Sequence, residues 1–326
     1  MMTKILLITN KWDFTTDFVV RRLKEAEADF YRLNTEEIGK SCFATFDFDN
    51  KQFHLYDKKL KQWYDLHEFT SVYFRRPELP NTDMKDLSQE EQFFIRAEHH
   101  QFLEGLYKIL DKSYWISPID SIKRAENKIY QLLLAKEIGF DIPHSLITNR
   151  VSDFNGFRDR ITNACVIKPI RSGQIGWPET HKVVFTSKLE HVPVDAEIKI
   201  CPSFLQERIE KECDIRFTIV GRNTFAVAID SQTNPETQTD WRRGENLLPH
   251  KLIELPEQIV EKCFSMLSAL NLQYGAFDFV LDKEGNYYFL EVNPNGQWAW
   301  IECQTGCNIS GAIAKQLIEG KYEKYN

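Results

Sequence analysis

Ala276-Phe277-Asp278-Phe279-Val280-Leu281, a turn at Gly285-Asn286, and Tyr287-Tyr288-Phe289-Leu290-Glu291-Val292-Asn293 form the stretch on which the reading of this chain turns. Two runs rich in aromatic and aliphatic residues flank a short polar turn, the pattern of a β-hairpin. With Asp282 paired to Tyr287, Asp278 and Glu291 stand at equal distances from the turn and face each other. Opposed side chains in such a pair have Cβ atoms about 5 Å apart, and like charges there are unfavourable unless a cation lies between them. Asn293, two residues beyond Glu291, shares the face and adds a neutral oxygen. Together they form a hard, all-oxygen set suited to Mg²⁺. The alternative is a solvated sheet face followed by an ordinary Asn-Pro-Asn-Gly turn. The flanking Phe, Val, Tyr and Leu residues speak for burial instead, and a buried carboxylate must be paired or metal-bound.

Upstream lie groups suited to a nucleotide. Lys168 ends the apolar run Cys165-Val166-Ile167 and precedes a small-residue segment containing Ser172 and Gly173. An ammonium followed by a loop of free N–H groups suits phosphate oxygens. Asp214-Ile215-Arg216 opens another strand, where alternation puts Asp214 and Arg216 on one face. Arg216 then bridges phosphates and Asp214 accepts from a ribose hydroxyl, or the two form an ion pair within the sheet. Gln206-Glu207-Arg208-Ile209 follows an apolar strand and offers a carboxylate and backbone groups to an adenine edge. The pair Arg242-Arg243 suits an acyl phosphate or a substrate carboxylate, and its alternative is a solvated basic loop.

The order of these groups resembles the ATP-grasp superfamily: Asn127-Lys128 on a helix, then Lys168, Gln206 to Ile209, Asp214 to Arg216, and finally Asp278, Glu291 and Asn293. The resemblance implies an ATP-grasp fold of α/β and α+β units preceded by an open α/β domain. It also implies that ATP binds with Mg²⁺, as two ions, and that Lys128 and Lys168 meet its phosphates. Within that superfamily, Ser231-Gln232, Asp240-Trp241-Arg242-Arg243, Glu291 to Trp298, Tyr31-Arg32-Leu33-Asn34 and Phe74-Arg75-Arg76-Pro77 resemble the graspetide macrocyclases. That branch implies a ribosomal precursor peptide, leader plus core, whose Asp or Glu side chains are activated and captured by Ser, Thr or Lys. A ligase that adds a free amino acid and a nucleotide-binding protein without chemistry are the competing readings. Dimerisation is common in the family, so a homodimer is a further expectation. Trp298 and Trp300 fit a peptide channel and a core equally well.

The rest of the chain sets bounds. At 326 residues it is long enough for two or three units, expected at 1–115, 116–198 and 199–326. Residues 5–8, 30–33 and 72–74 are apolar extended runs around helical stretches, the alternation of an open α/β domain. The Ser88 to Glu91 spacing is a capping box that starts a helix running through Phe94, Ala97 and Leu103. Ile122, Ala125, Ile129, Leu132 and Leu133 are expected on one apolar helical face that stops at Gly139. No segment approaches the apolar length of a membrane span, the N-terminal run reads as a strand rather than a signal peptide, and the seven scattered cysteines fit neither disulfides nor zinc. A cytoplasmic protein is expected. A net charge of −7 with only small basic groups such as Arg75-Arg76 argues for a compact anion as ligand rather than nucleic acid.

Overall fold

The computed structural model of the protein describes residues 3–171, 174–175, 182–189, 199–244 and 248–325. Ser172 and Gly173 lie outside the described residues. The N-terminal unit is a four-stranded parallel sheet in the order Asp29–Asn34, Lys4–Thr9, Ser71–Phe74, Tyr114–Ile116. Its central strand carries Ile5, Leu6, Leu7 and Ile8, all fully buried, as both faces of a parallel strand require. A meander that sequence reading did not anticipate, Cys42–Asp47, Gln52–Asp57 and Gln62–Asp65, is inserted before the third strand. The helix Gln89–Ile109 begins as expected, with Ser88 and Glu91 capping each other reciprocally. Its first half stands clear of the body, leaving Phe93 and Phe94 exposed.

After the Tyr114–Ile116 strand the helical region is broken in two, Ile119–Ala125 and Lys128–Ile138. The break corrects the single apolar face. Ile122 and Ala125 are buried, but Ile129 and Leu133 face solvent, and the second helix buries Gln131, Leu134 and Ala135 instead. Asn127 causes the offset: it caps the second helix by accepting from the Tyr130 N–H, and the new start rotates the buried stripe.

Two antiparallel sheets follow. The central one runs Ser187–Lys188, Cys165–Lys168, Ser203–Glu207, Ser145–Thr148, so it takes back a strand from beyond residue 199. The last sheet runs His250–Ile253, Asn223–Ile229, Lys211–Val220, Tyr274–Asp282, Tyr287–Asn293. One face of it, with Phe217, Phe277, Phe279 and Phe289, packs on the helix Glu257–Leu270 through Cys263, Met266, Leu267 and Leu270. The other face changes character along its length. At one end Val220, Val227 and Ala276 share a core with Ile5, Leu7 and Tyr73 of the N-terminal sheet and with Ile309 and Ile313 of the C-terminal helix Ile309–Glu319. At the other end the same face carries Asp214, Arg216 and Asp278. Charge thus begins where the N-terminal cover stops.

Trp298 joins the two units. It is fully buried, meets Phe18 edge-on at 6.1 Å, and its indole N–H lies 3.5 Å from the Tyr73 hydroxyl. It is a core residue and not part of a channel wall. Truncation leaves a large void at the seam, so Trp298→Ala is expected to cost about 3–5 kcal/mol. Urea unfolding followed by far-UV circular dichroism measures the loss; an unchanged midpoint would contradict this placement.

Candidate active site

The hairpin brings Asp278 opposite Glu291, but by another route than the expected register. Asp282 closes the turn with Asn286, not Tyr287: its N–H donates to the Asn286 carbonyl, and its carboxylate accepts from the Glu284 and Asn286 N–H groups. Leu281 therefore pairs with Tyr287, one residue out of step. A β-bulge at Leu290 inserts one residue and restores step, giving Asp278↔Glu291 and Ala276↔Asn293. Without it Phe289 and Glu291 would share a face. With it Phe289 is buried, stacked on Phe140 at 5.0 Å, while Glu291 points to the opposite side.

Each carboxylate has its own cation. Arg216, directly across the neighbouring strand, holds both oxygens of Asp278 at 2.9 and 2.8 Å from one nitrogen, and its second nitrogen donates to the Gln297 carbonyl at 3.2 Å. Lys128, at the start of its helix, reaches Glu291 at 2.9 Å. Burial pushes Asp278 above the usual carboxylate range against the pull of Arg216, with Glu291 adding to the rise. Burial also pushes Glu291 up, but Lys128 and Lys168 outweigh it and hold it well below the usual value.

Gln131, one turn beyond Lys128, sets the backbone between the ligands. Its amide donates to the Val292 carbonyl at 2.8 Å and accepts from the Val292 N–H at 2.9 Å. A glutamine has no periodic signature, and sequence reading missed it. The following loop is held as firmly. Arg75, buried in the N-terminal unit beside Asp13, donates to the Asn295 and Gly296 carbonyls, and the Tyr274 hydroxyl donates to Gly296 at 2.8 Å. Gly296 is required there, because a Cβ would lie 2.4 Å from Arg216 and 2.6 Å from Ala276.

A cavity of about 460 Å³ opens over the pair, and its described lining includes Lys128, Lys168, Asp214, Arg242, Asn293 and Arg76. Lys168 lies 4.9 Å from the Phe204 ring centre, and burial pulls its pKa down to about 8. Asp214 is bound to Lys211 at 2.6 Å in a buried pair, not to Arg216. Arg242 is clamped in a fork on Asp240, at 2.8 and 2.6 Å, and its pKa rises accordingly. Beside it Trp241 packs against Trp300, with ring centres 5.2 Å apart and the planes tilted by 43°. Other expected residues stand outside the cavity lining. Arg216 lies behind Asp278, and Arg243 turns to the Thr186 carbonyl and Ser187 hydroxyl. Gln206 donates to Ser145, and the Glu207 carboxylate accepts from Thr162 and Asn163, which fixes the loop before Lys168. The Ile209 N–H makes no hydrogen bond to a described residue and stays available to a base edge.

The donor chemistry fits Mg²⁺. Asp278, Glu291 and the Asn293 carbonyl supply oxygen only. The Asn293 oxygen accepts from the Asn295 N–H at 3.0 Å and keeps a second lone pair. Among the described residues no cluster of three His, Cys, Asp or Glu side chains exists to suggest another metal.

Residues 4–123 match the family described as the MvdD pre-ATP grasp domain, and residues 124–317 match the RimK-like ATP-grasp domain. The second match covers more than half of the chain, and the protein belongs to the RimK-like ATP-grasp family. It is an ATP-grasp ligase with an N-terminal pre-ATP-grasp domain. Its structure is similar to a RiPP-associated ATP-grasp ligase of Chryseobacterium gregarium solved with ADP and a leader and core peptide. Identity there is 26% over 99% of this chain and 98% of that one, with a TM-score of 0.87. It is also similar to the macrocyclase MdnB of Microcystis aeruginosa, at 28% identity over 98% and 100% of the two chains and a TM-score of 0.81. MdnC from the same organism shares the fold at 24% identity over 97% and 100%, with a TM-score of 0.84. No curated protein matches the chain in sequence. No helix among the described residues is long and apolar enough to cross a membrane.

Two outcomes follow from this geometry. Gln131→Met leaves the buried Val292 N–H and carbonyl unpaired, at about 1–3 kcal/mol for each group, which chemical denaturation will register. Lys168 gives a pH dependence. The unfolded chain holds this proton to its ordinary 10.5, the folded one only to about 8. Lys168 therefore loses its charge above pH 8, while stability rises with pH between those values. Calorimetric ADP affinity should fall about tenfold per pH unit above 8 in the wild type and stay level in Lys168→Arg.

Proposed function

We propose that this ligase is a graspetide macrocyclase, which activates Asp or Glu side chains of a ribosomal precursor peptide as acyl phosphates and closes ester or amide crosslinks within the peptide. The observation carrying the reading is the similarity along the whole chain to a ligase solved with ADP and a leader and core peptide. The cavity chemistry agrees with it. Lys128, Lys168 and Asp214 line the cavity, and Arg242 lines it too with its orientation fixed by Asp240.

In this reading Asp278, Glu291 and Asn293 would hold magnesium, as two ions, which would supply charge neutralisation for the triphosphate. Lys128, poised between Glu291 and the cavity, and Lys168 draw the γ-phosphate in and offset its charge. Arg216 keeps the Asp278 oxygens oriented and acts as a positioning residue. A substrate carboxylate oxygen bonds to the γ-phosphorus as the bond to ADP breaks. A hydroxyl or amine of the same peptide then bonds to the acyl carbon, phosphate leaves, and the nucleophile gives up its proton. Fixed cations around a shielded site make this mostly electrostatic and positional catalysis. Homodimer assembly belongs to the same reading and rests on resemblance alone, and a cytoplasmic setting rests on the scattered cysteines.

The test combines the protein with ATP, Mg²⁺ and the precursor peptide. ADP and phosphate should appear while the peptide loses one water mass per crosslink; a mass gain would instead mean addition of a residue. AMP and pyrophosphate would defeat the acyl-phosphate route. Glu291→Gln removes one ligand charge and should abolish turnover while leaving the fold intact by circular dichroism. A wild-type rate in that variant would refute the ligand assignment.

A further inference from the structure

Two arginines in the described cavity lining, Arg76 and Arg171, are left unused by the nucleotide reading; Arg171 follows Lys168 by three residues, whereas Arg76 comes from the N-terminal unit. Arg76 follows the strand Ser71–Phe74 of the N-terminal sheet and lines the same space as Asp278, Glu291 and Asn293. Its backbone is left-handed, φ 46°, which is unfavourable for a side chain of this size. The conformation is held: Asn10 donates to the Arg76 carbonyl at 2.7 Å, and its own oxygen accepts from the Trp12 N–H at 2.9 Å. Consecutive arginines are thereby separated. Arg75 goes to Asp13 and the 295–296 carbonyls, while Arg76 lines the cavity.

Three of the other cations at the site have ion partners, while Lys168 lies against the Phe204 ring. Lys128 has Glu291, Arg216 has Asp278 and Arg242 has Asp240. The Arg76 guanidinium makes no hydrogen bond or ion pair to a described residue. Arg76 is exposed to the open cavity, and desolvation together with the charge of Arg75 lowers its pKa. Its electrostatic neighbours are Arg75, Asp13, Tyr274 and Tyr73, whereas Lys168 and Arg242 feel Glu291. The cavity lining therefore draws its cations from two parts of the chain. One is the region of the central and C-terminal sheets that supplies the nucleotide residues, the other the N-terminal unit.

We propose that Arg76 is the binding residue for the carboxylate to be activated, its planar fork receiving the side-chain carboxylate of an Asp or Glu in the substrate. This rests on the ligase reading above and adds the part of the chain that receives the acyl group. A guanidinium fork matches two carboxylate oxygens, and a partner already taken, such as Arg242 on Asp240, does not offer the same fork.

The test is protection of Arg76 from phenylglyoxal in the full wild-type chain, read by peptide-mapping mass spectrometry. The probe is N-acetyl-glutamate α-methylamide, with the glutamine analogue as its uncharged counterpart. Mg·ADP alone should leave the Arg76 modification rate unchanged; the glutamate probe with Mg·ADP should slow it, and the glutamine analogue should not. Protection by Mg·ADP alone would make Arg76 a phosphate group, and equal behaviour of the two probes would remove carboxylate recognition; either result overturns the proposal. Arg76→Ala should raise the KM for the carboxylate substrate about tenfold or more, the scale of a lost charge-assisted hydrogen bond, with ADP affinity retained and partial recovery in Arg76→Lys. An unchanged KM also overturns it. The product-mass assay reports separately on crosslinking, so a failure of that reading is visible apart from a failure at Arg76.

Discussion

Two carboxylates facing each other on a half-buried sheet impose the constraint from which the rest of the site follows. Asp278 and Glu291 cannot both stay charged there unless cations stand close by. The fold meets the requirement from two directions, with Arg216 across the sheet and Lys128 from the start of a helix. The two cations differ in access. Arg216 is locked behind its partner by the Gln297 carbonyl and the close approach of Gly296, while Lys128 lies in the cavity wall, where it can exchange an internal anion for an incoming one.

Placement of these groups depends on parts of the chain far apart in sequence. Gln131 grips Val292 between two ligands, and Arg75 ties the loop after Asn293 to the N-terminal sheet. The pre-ATP-grasp unit is therefore built into the site through a shared core and through this loop. The sheet face that is apolar under that unit becomes charged where it emerges.

Much of this was legible in the sequence because it depended on alternation and order. The hairpin, the opposition of Asp278 and Glu291, and Lys168 at a strand end could be read from local pattern, while Lys128 came with the order of the motifs in the family resemblance. What escaped was what depends on neighbours. Ile129 and Leu133 have helical spacing but no element to meet, and periodicity cannot tell an occupied face from an empty one. Strand alternation leaves Arg216 and Asp214 either as phosphate and ribose contacts or as each other's ion pair, yet each has a better-placed ion in Asp278 and Lys211. Glu207 looked available to a ligand and serves as an anchor for the 162–163 loop. Trp298, equally suited by sequence to a channel or a core, lies in the core because Tyr73 and Phe18 come from another unit.

The bulge at Leu290 has a consequence for how this hairpin can change over time. A strand whose two ends serve different masters, an aromatic core at Phe289 and an ionic cluster at Glu291, would normally transmit any slip at the turn to every side chain along it. Here the turn has its own lock in Asp282, and the far end has its own in Gln131 and Arg216. The spare residue between them works as an expansion joint. Lengthening or shortening the tip is thus free to alter the outer surface of the enzyme while the Glu291 end keeps its alignment.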